Sequence, residues 1–202
     1  MTSPATKAPW LLARLAQAAI AAASVTDVFR ALAVRAHDLH PTNASLNKSG
    51  SISMVFVYLM TAAAVFFLMW FSRCRRNAQV LSPGTVEGSG VWPVCSWLVP
   101  VVNLWVPRRF VLEIQRASSA PATDKGRDDL LVNAWWVAWA AHGVIAAGSQ
   151  FGGGTSTSMP LLMASEALNL AAAVLAIFVV QRITGLQSAA LPTASPTPIG
   201  TP

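Results

Sequence analysis

Long apolar runs separated by short polar segments dominate this sequence and predict membrane-spanning helices. The clearest run extends from Ser51 to Phe71 without a charged residue and is followed by Arg73. An α-helix rises about 1.5 Å per residue, so roughly 20 apolar residues cross the hydrocarbon core of a bilayer. Segments near that length are predicted to form transmembrane helices at about 10–36, 51–72, 130–151 and 161–183.

The first of these spans has the least regular pattern. Its uncharged stretch from Leu15 to Thr26 is short, and the small residues at 21–23 would also suit the cleavage site of a signal peptide. The helical pattern continues past that site, which favours an uncleaved span. Residues 1–9 are mostly polar, contain two prolines and are predicted to form a cytoplasmic tail.

The segment 91–118, between the second and third spans, combines two patterns. Its apolar part is interrupted by Pro93 and Pro100 and is too short to cross a bilayer. Backbone groups freed by proline need partners in protein or water, so this part is predicted either to dip into the membrane and return or to lie at the interface. Pro107 suits the first turn of a helix, and the residues after it predict an amphipathic helix lying on anionic lipid.

Side chains of this segment form a first set of candidate functional residues. Tryptophan suits the membrane interface, arginine suits anionic headgroups, and asparagine can cap backbone groups that lack partners. A contact with lipid or with a protein partner is therefore predicted at Trp97, Asn103, Trp105, Arg108 and Arg109.

Polar side chains inside the spans form a second set, since such groups are costly in lipid and often mark functional sites. At ~1.5 Å per residue, Arg30 and Glu166 lie roughly 8–9 Å from the outer ends of their helices, and Asp27, His142 and Asn169 lie roughly 13 Å from theirs. We predict one polar layer in which Arg30 pairs with Glu166 or with Asp27. The layer is interpreted either as an ion or ligand site or as interhelical hydrogen bonding with a purely structural role.

Composition and charge support a membrane protein. Hydrophobic residues make up 54% of the chain and charged residues only 11%, whereas soluble proteins carry roughly 25% charged residues. The net charge of +6 would suggest nucleic-acid binding in a soluble protein. Here the basic residues flank the apolar runs, which favours a role in setting the orientation of the chain in the membrane. No nucleic-acid partner is therefore expected. With both termini in the cytoplasm, eleven of the fourteen Lys and Arg residues lie on the cytoplasmic side.

The sequence contains no pattern typical of catalysis or cofactor binding. Cys74 and Cys95 do not form a disulfide framework, and metal-ligand spacings, phosphate-binding glycine loops and nucleophile elbows are missing. We therefore expect no enzymatic activity, no cofactor and no metal site. Residues 184–202 are rich in Pro, Ser, Thr and Ala and are predicted to form a disordered cytoplasmic tail.

Four motifs resemble a known family. They are Arg-Cys-Arg-Arg-Asn-Ala-Gln-Val-Leu-Ser-Pro-Gly at 73–84, Val-Pro-Val-Val-Asn-Leu-Trp-Val-Pro at 99–107, Glu-Ile-Gln-Arg-Ala-Ser at 113–118 and Leu-Leu-Val-Asn-Ala-Trp-Trp-Val-Ala-Trp at 130–139. They resemble the actinobacterial membrane proteins grouped as domain of unknown function 4328, although Pro93, Cys95 and Ser96 stand where that family tends to have glycine. The resemblance implies four spans in a bacterial plasma membrane, and it brings no catalytic residues with it.

Together these patterns predict an all-α membrane protein with four transmembrane helices in two antiparallel hairpins. A proline-broken segment and an amphipathic helix would lie between the second and third spans. The expected function is a non-enzymatic interaction, regulatory or scaffold subunit that contacts anionic headgroups and a protein partner on the cytoplasmic face. The alternative is a small transporter or channel subunit that uses the polar layer.

Overall fold

The computed structural model describes residues 7–83, 92–97, 105–119, 125–151 and 159–194. Within these ranges the regular structure is α-helical, and four of the helices are long and apolar enough to cross a membrane. The predicted all-α membrane fold with four spans is confirmed. The helices are α1 (Trp10–Leu39), α2 (Asn43–Leu81), α3 (Trp92–Cys95), α4 (Val106–Ser118), α5 (Lys125–Phe151) and α6 (Met159–Ala194).

The four long helices pack side by side, with α1 against α2 and α6, and α6 against α2 and α5. The segment His40–Thr42 joins α1 to α2 and marks what we call the turn end of the bundle. The opposite end, which carries Trp10 and Ala194, is called the terminal end. There α4 packs against α2, α5 and α6. The antiparallel arrangement of the two hairpins stays a prediction.

The helix that contains the second predicted span extends beyond it on both sides, since α2 starts at Asn43, before Ser51, and ends at Leu81, after residue 72. Thr42 caps its N-terminus. The Thr42 hydroxyl accepts a hydrogen bond from the Ser45 N–H at 3.0 Å, and the Ser45 hydroxyl accepts one from the Thr42 N–H at 3.0 Å. This reciprocal capping satisfies backbone groups at the helix start and allows a polar stretch to be helical.

The prediction of a disordered tail from residue 184 is wrong as far as Ala194, where α6 ends. Thr184, Gln187 and Leu191 recur at helical spacing and are buried within the bundle. Burial of this face offsets the conformational entropy lost when the chain becomes ordered, which composition alone does not reveal. Residues 195–202 lie outside the described part of the chain.

A buried hydrogen-bond network joins α2, α4 and α6 at the terminal end. Gln187 Nε2 donates to the Cys74 carbonyl oxygen at 2.7 Å and to Ser118 Oγ at 3.3 Å. Gln187 Oε1 accepts a hydrogen bond from Asn77 Nδ2 at 3.0 Å. Because these groups are shielded from water, the network holds the three helices in one relative position. The sequence pattern did not predict this network, because Asn77 and Gln187 follow the predicted ends of their spans.

The amphipathic helix forms as predicted, with Pro107 in its first turn, but its surroundings differ from the prediction. Val111 and Ile114 on its apolar face are buried in the common core with side chains of α2, α5 and α6. The expectation that this face lies on anionic lipid is wrong, because neighbouring helices supply the apolar surface that it covers. The helix instead closes the terminal end of the bundle.

Candidate functional site

A cavity of about 300 Å³ lies inside the bundle between α1, α2, α5 and α6. Alanines from three helices line it, among them Ala23, Ala63 and Ala176. Their short side chains leave open a space that larger side chains would fill in an ordinary close-packed core. The volume is at the lower end of the range for small-molecule sites.

Aromatic rings form the wall of the cavity nearest the terminal end. The Trp97 ring lies 4.9 Å from the Phe67 ring and 6.2 Å from the Trp135 ring, measured between centroids. Trp97, predicted to contact lipid or a partner, is therefore packed inside the bundle. Its indole N–H is buried and has no hydrogen-bond partner among the described residues. Asn103, predicted to act beside it, lies outside those residues.

Asp27 lies on the cavity wall nearer the turn end, and both of its carboxylate oxygens have partners. Arg30 Nε donates to Oδ1 at 2.7 Å, and Asn169 Nδ2 donates to Oδ2 at 3.1 Å. The Arg30 guanidinium also lies over the Phe56 ring, 4.8 Å from its centroid. Of the two predicted pairings, Arg30 makes the one with Asp27 and not the one with Glu166. A separation of three residues on one helix brings these groups together.

His142 adds a group from α5 to this polar wall. Its Nδ1 lies 3.0 Å from the Ser165 carbonyl oxygen and 3.1 Å from Ser165 Oγ. The carbonyl oxygen can only accept a hydrogen bond, whereas the Ser165 hydroxyl can donate to Nδ1 or accept from it, so these contacts fit either tautomer of the ring. Asp27, His142 and Asn169 all line the cavity. Three of the five residues of the predicted polar layer therefore meet at one site.

Glu166 lies close to this layer without lining the cavity. Its side chain is half-buried, and its Oε2 is buried without a hydrogen-bond partner in the described parts of the chain. A carboxylate oxygen in such a position is a candidate acceptor for a proton or a cation.

The cavity is open on its α2 side, where Met60 and Ala64 line it and are also exposed at the bundle surface. Both residues belong to the uncharged middle of α2, between Ser51 and Phe71. In a membrane this surface would face lipid chains. A molecule would therefore reach the cavity from the bilayer interior rather than directly from water.

The other predicted contact residues lie at the terminal end, away from the cavity. Trp105 precedes α4 and is 62% exposed. Arg108 donates from Nε and Nη2 to Asn133 Oδ1 at 2.9 and 2.6 Å, which ties α4 to α5. Arg109 is exposed and forms an ion pair with Glu113 at 2.9 Å. The predicted contact residues are therefore divided between two places: Trp97 lines the cavity, whereas Trp105, Arg108 and Arg109 lie at the terminal end.

The chemistry available at the cavity includes hydrogen bonding and charge. In the described ranges, no three His, Cys, Asp or Glu side chains are grouped so that they could hold a metal ion. Cys74 is a buried free thiol, and Cys95 is free as well. The cavity offers an aromatic, apolar surface toward one end and hydrogen-bonding groups at the other.

Asp27→Asn is expected to lower the free energy of unfolding by about 1 kcal/mol, because Arg30 loses its counter-ion but keeps one hydrogen-bond acceptor. Detergent-induced unfolding followed by circular dichroism measures this change. Asp38→Asn, at an exposed position of the same helix, is the matched control and is expected to have no effect. Equal effects of the two substitutions would contradict a specific Asp27–Arg30 interaction.

Comparison with known proteins assigns the chain to a family. Residues 34–185, about three quarters of the sequence, match the family model described as Domain of unknown function (DUF4328). The chain belongs to the DUF4328 family. The resemblance found in the sequence motifs is confirmed. No curated protein and no solved structure matches the chain.

The matched range of this DUF4328 protein contains His142, Glu166 and Asn169 of the polar layer, whereas Asp27 and Arg30 precede it. The family description assigns no activity.

Proposed function

We propose that this DUF4328 protein is a non-enzymatic, membrane-embedded regulatory subunit that binds a small amphiphilic molecule inside its helix bundle. The observation that supports the proposal is the 300 Å³ cavity, which brings Asp27, His142 and Asn169 together with an aromatic wall. Ligand sites combine a largely apolar lining with a few polar groups that fix orientation, and this cavity has that composition.

The lining favours a molecule with an apolar body and a polar group at one end. From Trp135 to His142 the wall extends over ~10 Å at 1.5 Å per residue of helix. The aromatic wall suits the apolar body, and at the other end Asp27, His142 and Asn169 can form hydrogen bonds with a polar group. An amphiphile that enters through the lipid-facing opening at Met60 and Ala64 has this chemistry.

Binding without catalysis is favoured by the hydrogen bonds that already hold the Asp27 carboxylate. Both oxygens of Asp27 are held, by Arg30 and by Asn169. A general base must lie within hydrogen-bond reach of the proton that it removes, and these two partners already fix the position of the carboxylate. The His142 ring is held by Ser165 in the same way.

A regulatory role is supported by the position of Trp97. This residue lines the cavity and lies two residues after the end of α3, which packs against α4. A ligand that changes the packing of Trp97 would therefore also change the packing of α3 and α4 at the terminal end. Exposed arginines such as Arg76 and Arg116 lie at that end. The excess of basic residues at that end supports a plasma-membrane topology with both termini in the cytoplasm. There the subunit would meet anionic headgroups and a protein partner.

The proposal predicts saturable binding of 10-bromodecan-1-ol, an amphiphilic alcohol whose bromine quenches nearby tryptophan fluorescence. Cavity residues Trp97, Trp135 and Trp139 serve as reporters in the purified protein. Ala176→Leu places a larger side chain on the cavity wall and is expected to weaken binding about tenfold, because an overfilled site costs about 1–3 kcal/mol.

The matched control is Ala171→Leu, which makes the same change at an exposed position of α6. It is expected to bind the alcohol as the unmodified protein does. Quenching that rises linearly without saturation, to the same extent in all three proteins, would mean simple partitioning into detergent and would contradict the proposed site.

A second function, transport of a proton or cation, is favoured by the buried Glu166 Oε2 beside the Asp27–Arg30 pair. Transport requires that this carboxylate bind and release its cargo, so Glu166→Gln would abolish flux through reconstituted vesicles. Binding of the brominated alcohol would be unaffected, because Glu166 does not line the cavity. Vesicles that show no proton or sodium flux with the unmodified protein would exclude this alternative for those two ions.

A further inference from the structure

A second concave surface lies at the terminal end, on the outside of the bundle. This groove of about 410 Å³ lies between α1, α2 and α3. Its apolar lining consists of Leu12, Leu68, Met69 and Val94. It is separate from the intramembrane cavity, with which it shares only Leu68, and the inference drawn from it does not depend on the function proposed above.

Polar side chains line the groove on the side toward the end of α2. Ser72, Arg73 and Arg76 occupy this edge. The two arginines are three residues apart on one helix, a spacing that places side chains on the same face about 5–6 Å apart at Cβ. An oxyanion between them could be held by both guanidinium groups, with the Ser72 hydroxyl as a further donor.

Arg73 and Arg76 differ from the neighbouring arginines in their partners. Arg75, which lies between them in the sequence, is 3.7 Å from Glu113, and Arg116 pairs with Asp129. Neither Arg73 nor Arg76 forms an ion pair with any carboxylate in the described part of the chain. Two guanidinium groups at the edge of one groove therefore lack a protein anion among the described residues.

The groove also crosses the boundary between the apolar and basic parts of α2. The uncharged run that ends at Phe71 carries Leu68 and Met69, and the arginines follow within the next turn and a half. At such a boundary the phosphate of a lipid lies beside basic side chains while its chains lie along the apolar surface.

We propose that this groove binds one anionic phospholipid. Its phosphate is held by Arg73 and Arg76 with the Ser72 hydroxyl, and an acyl chain lies along Leu68 and Met69. A soluble phosphate compound would satisfy the arginines but make no contact with the apolar lining. Val94 belongs to α3, so a bound lipid also contacts the short helix that positions Trp97.

The test is native mass spectrometry of the full-length protein incubated with equal amounts of dioleoylphosphatidylglycerol and dioleoylphosphatidylcholine. The unmodified protein is expected to retain the anionic lipid about thirtyfold more than the zwitterionic one, from two basic contacts. Arg73→Gln and Arg76→Gln are each expected to lower this preference about fivefold, and the double variant should bring the two lipids close to parity.

The matched control is the double variant Arg14→Gln/Arg182→Gln, which removes two exposed basic residues at the same end but outside the groove. It is expected to keep the preference. Equal losses in the two double variants would assign the effect to overall charge and overturn the proposal, as would an unmodified protein without preference. Excess glycerol phosphate is expected to leave the lipid bound, and displacement by this headgroup alone would exclude the lipid as the specific occupant.

Discussion

Trp97→Ala is expected to lower the free energy of unfolding by about 3–5 kcal/mol. Its ring contacts Phe67, Phe71, Trp135 and Trp136, with centroid distances from 4.9 to 6.3 Å. Removing the indole takes away these contacts and joins its volume to the cavity that it borders. The surrounding helices can fill such a space only in part.

The measurement is unfolding by sodium dodecyl sulfate, followed by far-ultraviolet circular dichroism. Trp105→Ala is the matched control, since Trp105 lies at the start of α4 but is 62% exposed. We expect a loss of less than about 1 kcal/mol for the control, as is typical of surface substitutions. Similar losses at the two positions would mean that Trp97 lies at a membrane surface, as the sequence had indicated, and not inside the bundle.

Gln187→Leu is expected to have the next largest effect, a loss of about 2–4 kcal/mol. The substitution nearly conserves volume but removes the acceptor of Asn77 and the donor to the Cys74 carbonyl oxygen and Ser118 Oγ. The polar groups left behind are buried and cannot bind water instead. Leaving such groups without partners costs more than the hydrogen bonds themselves contribute.

Two further variants test the reason for this loss. Ser188→Ala, at the adjacent exposed position, is expected to leave stability unchanged. The double variant Asn77→Leu/Gln187→Leu is expected to be less destabilising than the sum of its two single substitutions. Each single substitution leaves the other residue without its hydrogen-bond partner, whereas the double variant removes both residues of the pair. Purely additive losses would contradict a direct Asn77–Gln187 interaction. No loss for Gln187→Leu would support the disordered tail predicted for this region.

Local properties of the chain explain which features could be predicted from sequence. The uncharged run of α2 and the proline at the start of α4 specify helices through hydropathy and backbone geometry, which act within one or two turns. The polar layer could be predicted for the same reason. Depth along a helix follows from residue number, so the sequence alone places Asp27, His142 and Asn169 at one level.

The cavity could not be predicted in this way. It exists because alanines on three helices, Ala23, Ala63 and Ala176 among them, face the same space. No single segment of the sequence shows that these alanines face one another across an open space, because alanine-rich stretches equally suit close packing between helices. The Asn77–Gln187 hydrogen bond was missed for a related reason, since each residue by itself looks like the polar end of a span.

The sequence by itself determined the family, the membrane class, the four spans, the helical nature of 106–118 and the depth of the polar residues. Only the tertiary structure decided that Arg30 pairs with Asp27, that α4 covers protein rather than lipid, that Trp97 packs inside the bundle, and that α6 continues to Ala194. The physical reason is the range of the interactions. Hydropathy and helix geometry are encoded over a few neighbouring residues, whereas burial and pairing depend on which faces of distant helices meet.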